Sequence, residues 1–212
     1  NGTYTVTASQ GGASNSSTVT VETANVAYVT LSPSADQTIT AGSTVDFTAE
    51  AYDQYNNLVD DNEANFTYSS GGAIDNSGIF SETTNGTYTV SATHTPSTVS
   101  TDAANETDVT VEPAAIASVE TTPATATIAA GNTVDIDADA FDQYGNPVDS
   151  NDDNFSWTAS GGSVDNSTGV FTATSNGTYT VTASQGGASN SSTVTVEAAN
   201  VAYVTLSPSA DQ

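Results

Sequence analysis

The first 37 residues of the chain return almost unchanged at its end. Residues 1–37 and 176–212 differ at one position only, where Thr23 corresponds to Ala198. Protein cores tolerate extensive apolar substitution, so a shared fold alone does not require such identity. A recent tandem duplication and a longer periodic polymer both explain the repeat. Either explanation predicts a chain assembled from repeated domains.

A second, weaker repeat lies inside this long period. The matched positions are Pro33 with Pro123, Gly42 with Gly131, Asp53 with Asp142, Phe66 with Phe155, Tyr68 with Trp157, and residues 85–88 with residues 176–179. We therefore expect two complete domains, residues 26–115 of a first type and residues 116–200 of a second type. Residues 1–25 would supply the last strands of a preceding second-type domain, and residues 201–212 would open another first-type domain.

Apolar and polar residues alternate along much of both domains, which is typical of β-strands. Val134, Ile136, Ala138 and Ala140 alternate with aspartates, and residues 45–51 follow the same pattern. Gly-Asn, Gly-Gly and Asn-Gly turns separate such segments, and none has helical periodicity. About seven short strands per domain predict an all-β chain of tandem β-sandwich domains.

Aromatic positions favour the immunoglobulin-like type of sandwich over other aromatic-rich β-sandwiches. Tyr179 precedes Val181 by two residues, which is the offset of the tyrosine corner in such folds. Trp157 lies where strand C carries its buried aromatic residue. The corresponding residues of the first domain are Tyr88, Val90 and Tyr68.

Four segments of the second domain form a recognisable pattern: residues 140–148, the Gly161-Gly162 turn, residues 169–171 and residues 177–181. They resemble the immunoglobulin-like tandem repeats of bacterial and archaeal cell-surface proteins of the invasin/intimin-like class. The resemblance covers both domains and implies an extracellular or cell-surface location. Its motifs are turn and core positions, so it implies a fold more than a function. The first domain departs from the family pattern with Asn56-Asn57-Leu58 in place of Gly-Asn-Pro. Asn tolerates the left-handed conformation, so we expect the turn to survive.

The segments that join the domains, residues 112–115 and 197–200, are short. About four residues cannot act as a flexible tether. We therefore expect the domains to form a stiff rod in which contacts are made between nearest neighbours.

The chain contains no Lys or Arg and has 25 acidic residues, which gives a formal net charge of −25. Nucleic acids and anionic membrane surfaces are excluded as partners, because binding them requires cations. The absence of cysteine and lysine removes disulfide and lysine isopeptide cross-links. No apolar run is long enough to span a membrane and no export signal is present, so we expect any anchor or signal to lie outside this sequence.

The only histidine, His94, lies where the connection from strand F to strand G is longer in the first domain than in the second. Without Cys, Lys, Arg or a second His, it cannot belong to a triad or a zinc site. We predict that His94 is a solvated loop residue and that the chain is not an enzyme. Paired carboxylates of a glycosidase are the distant alternative.

Calcium is the cofactor that the composition favours, because it binds six to eight oxygen ligands. The candidate ligands cluster near the turn after strand B in each domain; they are Asp142, Asp149, Asp152 and Asp153 in the second and Asp53, Asp60, Asp61 and Glu63 in the first. The alternative is that Asp53 and Asp142 cap this turn through side-chain hydrogen bonds and that the other acids are solvated.

N-glycosylation sequons are frequent, although composition alone produces many of them. The candidate sites with predicted exposure are Asn15, Asn65, Asn105, Asn154 and Asn190. Asn65 and Asn154 precede an inward Phe and are expected on strand C with their side chains in solvent. The other three are expected in the connections from strand F to strand G.

These features favour a structural repeat unit of an extracellular filament, stalk or surface layer. Residues 1–25 form at most an isolated hairpin, which is marginal in water, so we expect them not to be ordered alone. The chain would be a window on a longer covalent head-to-tail polymer, with lateral contacts between copies as a further expectation. The axial repeat would be roughly 80–90 Å per two-domain unit. The alternative is an adhesin with a ligand site in the loop of residues 94–105.

We predict that salt stabilises the protein. Asp135, Asp137 and Asp139 place like charges about 7 Å apart along one strand face, and no basic side chain neutralises them. The screening length falls from about 8 Å at physiological ionic strength to about 3 Å at 1 M, which relieves repulsion in the folded state. The melting temperature should rise between about 0.05 and about 1 M NaCl. A flat or falling melting temperature would contradict this prediction.

Overall fold

The computed structural model of the chain describes residues 1–102 and 104–199. Its contacts divide the chain into two compact units, Asn1–Glu112 and a second that begins at Pro113. This boundary lies inside residues 112–115, the segment expected to join the two domains. The predicted opening strand at residues 201–212 lies outside the described residues.

The first unit contains twelve strands and one 3-10 turn, Glu63–Asn65, among its described residues. The strands are β1 (Gly2–Gln10), β2 (Ala13–Val21), β3 (Val26–Ser32), β4 (Gln37–Thr40), β5 (Thr44–Asp46), β6 (Thr48–Asp53), β7 (Leu58–Asp60), β8 (Phe66–Ser69), β9 (Ile79–Ser81), β10 (Gly86–His94), β11 (Val99–Ser100) and β12 (Thr107–Glu112).

The second unit contains ten strands and one 3-10 turn, Asp152–Asn154, among its described residues. The strands are β13 (Ile116–Thr122), β14 (Thr125–Ala129), β15 (Thr133–Val134), β16 (Asp137–Asp142), β17 (Pro147–Asp149), β18 (Ser156–Ala159), β19 (Ser163–Val164), β20 (Phe171–Thr172), β21 (Gly177–Gln185) and β22 (Ala188–Glu197).

The second unit is a two-layer sandwich. One layer has the strand order β14-β22-β21-β18, and the other consists of β13-β16-β17 together with β15-β20-β19. Strand β14 runs parallel to β22, whereas the other pairings are antiparallel. Buried residues from both layers form one apolar core, with Ile136 and Phe171 on one side and Val181 and Val194 on the other.

The first unit repeats this arrangement. Strand β12 pairs with β10 and, in parallel, with β4, while β10 also pairs with β8 and β11. The other layer is β3-β6-β7 with the pair β5-β9. Phe47, Phe80, Val90 and Val109 are fully buried. The predicted all-β fold of tandem sandwich domains is confirmed.

The tyrosine corner predicted for both domains is present. The Tyr179 hydroxyl donates to the backbone carbonyl of Ser175 at 2.9 Å, and that of Tyr88 donates to Thr84 at 3.0 Å. Each bond reaches four residues upstream, as expected for an immunoglobulin-like sandwich. It ties the start of the strand that contains the tyrosine to the turn before that strand.

The alternating pattern of the second domain also lies as predicted. Ile136, Ala138 and Ala140 are buried, whereas Asp135 and Asp137 are exposed and Asp139 is half-buried. Trp157 is 4% exposed, and its Nε1 donates to the backbone carbonyl of Asp152 at 3.2 Å.

The structure pairs the two strands expected in residues 1–25 as a regular hairpin of β1 and β2, and whether they are ordered alone stays a prediction. Gly11 and Gly12 form its turn with φ of 60° and 85°, a left-handed conformation that Gly adopts without steric cost. Local turn chemistry is therefore enough to set the register. Every residue of both strands is exposed.

Helical structure in residues 1–102 and 104–199 is limited to the two 3-10 turns, and no helix there is long enough to cross a membrane.

Truncation of Trp157 is predicted to destabilise the second domain. Trp157→Ala removes a buried aromatic residue and should lower the free energy of unfolding by about 3–5 kcal/mol. The control is Tyr144→Ala, because Tyr144 is 43% exposed. Thermal and denaturant unfolding of both variants gives the comparison. Equal stability of the two variants would contradict the assignment of Trp157 to the core.

Candidate functional site

Each domain contains a tight turn of five residues that begins with a buried aspartate. We call Asp53–Asn57 and Asp142–Asn146 the aspartate turns. In the second, the Gly145 amide donates to the Asp142 carbonyl at 3.2 Å, and the Asp142 amide donates to the Asn146 carbonyl at 3.0 Å. Gly145 has φ of 85° and Asn56, its counterpart, has φ of 64°. The expectation that Asn preserves this turn in the first domain is confirmed.

The Asp142 carboxylate accepts four hydrogen bonds although it is only 3% exposed. Oδ1 accepts from the amides of Tyr144 at 2.8 Å and Asn146 at 2.9 Å. Oδ2 accepts from the amide of Ala114 at 2.8 Å and from Asn146 Nδ2 at 2.7 Å. The lone pairs of a buried anion are thereby satisfied by neutral donors.

Asp53 repeats this arrangement with an exposure of 0%. Oδ1 accepts from the amides of Tyr55 and Asn57, both at 2.9 Å. Oδ2 accepts from the amide of Ala24 at 2.9 Å and from Asn57 Nδ2 at 3.0 Å. At both aspartates the structure has a turn capped by the side chain, which is the alternative to calcium given in the sequence analysis.

The hydrogen bonds keep both aspartates ionised. Burial raises the pKa of Asp142, but the bonds from the Asn146 side chain and the Ala114, Asn146 and Tyr144 amides outweigh it and lower the pKa to about 2. Burial likewise raises the pKa of Asp53, and the bonds from Asn57, Ala24 and Tyr55 lower it well below its ordinary value. Both carboxylates therefore stay charged at neutral pH.

The aspartate turns hold the segment that enters each domain. Ala114 lies two residues before β13, and Ala24 lies two residues before β3. One carboxylate oxygen holds each of these amides while the other closes the turn between two strands. Sequence reasoning missed both alanines, because neither residue type marks a hydrogen-bonded position.

A second acidic position recurs after each aspartate turn. Asp149 Oδ1 accepts from the amide of Asn151 at 2.9 Å. Oδ2 accepts from Asn154 Nδ2 at 2.9 Å and from Gln185 Nε2 at 2.7 Å. Bonds from Asn151 and then Gln185 lower the pKa of Asp149.

Asp60 is the counterpart of Asp149 in the first domain. Oδ1 accepts from the amide of Asn62 at 2.9 Å, and Oδ2 accepts from Asn65 Nδ2 at 2.7 Å. His94 Nε2 lies 3.0 Å from the same Oδ2, and Nδ1 lies 2.7 Å from the Ser97 hydroxyl. The amide of Asn62 and then His94 lower the pKa of Asp60.

The prediction that His94 is a solvated loop residue is wrong. Strand β10 continues through His94, which is 4% exposed and packs its ring on Phe66 with ring centroids 5.3 Å apart. His94 and Gln185 are the last residues of the equivalent strands β10 and β21, and each bonds the equivalent aspartate. The histidine thus takes the place of an amide donor.

The remaining candidate ligands do not converge with these. Asp152 Oδ1 accepts from the Ala138 amide at 3.1 Å, and Glu63 Oε1 accepts from the Ala49 amide at 3.2 Å. Burial, followed by the charges of neighbouring aspartates, raises the pKa of Asp152 although the Ala138 amide opposes this. Asp61 and Asp153 are exposed.

Among residues 1–102 and 104–199, no group of three or more acidic or histidine side chains is placed to hold a metal ion. The candidate ligands instead accept hydrogen bonds from different donors. Calcium binding stays a prediction.

Two candidate glycosylation sites lie elsewhere than predicted. Asn65 and Asn154 end the 3-10 turns and do not lie on strand C, because Asn62 and Asn151 cap these turns. Their side-chain amides donate to aspartates, as described above. Asn154 is exposed, whereas Asn65 is half-buried.

The other three candidates also differ from expectation in part. Asn15 and Asn190 are exposed on β2 and β22, because each hairpin turn contains only two glycines. Asn105 lies in the connection before β12, as predicted, but it is half-buried and not exposed. Its Nδ2 donates to Asp102 Oδ1 at 2.8 Å. Occupancy of these sequons stays a prediction.

The chain is similar to solved repeats of surface proteins. Mouse cadherin-23 EC22-24 has a TM-score of 0.50 at 16% identity, with 93% of this chain and 74% of that chain covered. Protocadherin gamma B7 extracellular cadherin domains 1-4 has a TM-score of 0.51 at 14% identity, with coverage of 88% and 54%. Domains 1-6 of the surface layer protein SbsC have a TM-score of 0.34 at 19% identity, with coverage of 94% and 32%.

The cadherin similarities show a shared fold, the immunoglobulin-like β-sandwich. The chain spans about a third of the SbsC structure that it matches. No protein-family model matches the chain, and the comparison with curated proteins gives no match.

We predict that Gln, the residue at the equivalent position of the second domain, can replace His94 with little change in stability. His94→Gln should change the free energy of unfolding by less than about 0.5 kcal/mol, because Gln185 bonds the equivalent aspartate. His94→Ala should lower it by about 1–3 kcal/mol, because Asp60 loses a donor. Denaturant unfolding measures both. If the two variants are equally destabilised, the ring has a role beyond donating this hydrogen bond.

Proposed function

We propose that the chain is a structural repeat unit of an extracellular filament, stalk or surface layer. The observation that carries this proposal is the recurrence of the aspartate turn. Each domain uses a buried carboxylate to hold its own entry segment, at Ala24 and at Ala114. Such a contact fixes the entry segment on its own domain, and no substrate is needed to explain it.

The surface location is supported by three features. The residues of the aspartate turn and the following strands resemble the repeats of the invasin/intimin-like class, which favours a bacterial or archaeal source. The cadherin repeats that share the fold are described as extracellular domains. A chain with 25 acidic residues and neither Lys nor Arg also lacks every cleavage site of trypsin-like proteases. A structural role without catalysis is part of the proposal.

The partners that we propose are other copies of the same repeat, joined head to tail. The near-identity of residues 1–37 and 176–212 supports a periodic assembly. The stiff rod expected from the short joining segments stays a prediction.

An adhesin with a ligand site at residues 94–105 is the alternative. One residue of this segment argues against a ligand site there, because the His94 side chain is buried and bonded to Asp60. Glycan arrays and cell-binding assays on one two-domain unit separate the two functions.

Electron microscopy of the native material tests the structural proposal. We expect filaments or a surface layer with an axial repeat of roughly 80–90 Å for each two-domain unit. Denaturing electrophoresis should give a mass well above the 21.3 kDa of this sequence if the repeats are covalently joined. Discrete subunits of 21.3 kDa would contradict the covalent polymer, and dispersed molecules without periodic assembly would contradict the structural role.

A further inference from the structure

The same hairpin sequence occurs twice in the structure, in two different environments. Strands β1 and β2 are identical in sequence to β21 and the first nine residues of β22. Both hairpins pair through nine residue pairs in the same register, from Gly2 with Val21 in one and from Gly177 with Val196 in the other. The second hairpin therefore shows what can cover the first.

The apolar face of the hairpin is buried in one copy and exposed in the other. Val181, Val194 and Val196 are at most 2% exposed in the core of the second unit. Their counterparts in β1 and β2 are Val6 at 60%, Val19 at 47% and Val21 at 46%, and Tyr4 beside them is 55% exposed. Exposed apolar faces of this kind mark interaction surfaces.

The edges of the two hairpins differ in the same way. In the second unit, β14 pairs with β22 and β18 pairs with β21, so both edges of the hairpin are covered. In the described part of the chain, β1 and β2 pair only with each other. The first hairpin thus presents two open strand edges, which are templates for further pairing.

The turn of the first hairpin likewise has no partner among the described residues, unlike the turn of the second. A Cβ placed on Gly186 would lie 3.0 Å from Cβ of Ile116, so this side chain covers the turn. A Cβ placed on Gly11 would meet none of the described residues within 4 Å. Next to this turn an open groove runs along the hairpin, lined by Ala8, Ser9, Gln10, Ala13, Ser14 and Asn15.

The exposed hairpin already has the geometry of the buried one. Gly11 and Gly186 both have φ of 60°. The hydroxyls of Thr7 and Ser16 are 2.7 Å apart, and those of Thr182 and Ser191 are 2.8 Å apart. Docking therefore requires no refolding of these strands, which lowers its cost in conformational entropy.

We propose that the β1–β2 hairpin is a docking surface for a polypeptide with the sequence of residues 113–175. Residues 113–175 contain strands β13 to β20. In the second unit these strands cover β21 and β22, the hairpin of identical sequence. An intact second copy does not fit, because its own β21 and β22 occupy the place. The inference names the partner surface within the proposed repeat assembly, and it rests on that proposal for its biological setting.

The test is a binding titration. The probe is a polypeptide of residues 113–175 labelled at its N-terminal amine, and the target is the full 212-residue chain. Fluorescence anisotropy and sedimentation should show saturable binding at one probe per chain. Val6→Asp should weaken binding at least about 100-fold, because it places a charge where the counterpart Val181 is fully buried.

The matched control is Thr5→Asp, which adds the same charge on the other face of the same strand. Its counterpart Thr180 is exposed in the complete sandwich, so binding should change by less than about threefold. Equal loss of binding in the two variants, or no binding to the unaltered chain, would overturn the proposal. Association of the chain with itself that Val6→Asp abolishes would also overturn it, because the occupant would be a second hairpin.

A covalent version covers the case in which the probe aggregates. Residues 113–175 are placed before Asn1, and thermal unfolding is followed with Val6→Asp in this extended chain and in the 212-residue chain. The substitution should remove one unfolding transition from the extended chain and leave the shorter chain unchanged, since Val6 is 60% exposed there. The same effect in both chains would overturn the proposal. Filaments seen without docking would refute this inference while leaving the structural role intact.

Discussion

A chain without Lys or Arg has to stabilise its buried charges with neutral donors. Asp53 and Asp142 are buried in the two domains, and each accepts hydrogen bonds from three backbone amides and one asparagine side chain. Hydrogen bonds to the ionised form lower the pKa of a carboxyl group even where burial raises it. The fold therefore depends on turns that point several backbone amides at one carboxylate. Such a turn needs a residue in the left-handed conformation, which is Asn56 in the first domain and Gly145 in the second.

The two copies of the hairpin separate the local from the long-range contributions to this fold. The turn glycines and the strand register are the same in both copies, so they follow from the local sequence. Burial differs completely, because the residues that cover Val181 lie earlier in the chain and belong to the opposite layer. A sandwich of this kind acquires its core only when both layers are present.

Several features could be predicted from the sequence because they depend on short-range patterns. Alternation predicted the buried face of Ile136, and spacing predicted the hydrogen bond of Tyr179. The bond between Ala114 and Asp142 could not be predicted, because a backbone amide leaves no signature and the two residues lie 28 positions apart. The prediction of a solvated His94 is wrong because it rests on loop length alone. The equivalent residue of the second domain is Gln185, and this correspondence places His94 at the end of a strand.

The last strand of each unit pairs in parallel with an early strand of the same domain, and this pairing has a mechanical consequence. Strand β14 lies beside β22 over five residue pairs, and β4 lies beside β12 over four. A tension applied at the two ends of a unit pulls such strands in opposite directions along their length. The hydrogen bonds between them are then loaded together in shear and do not open one after another. Each domain accordingly resists stretching at this parallel strand pair.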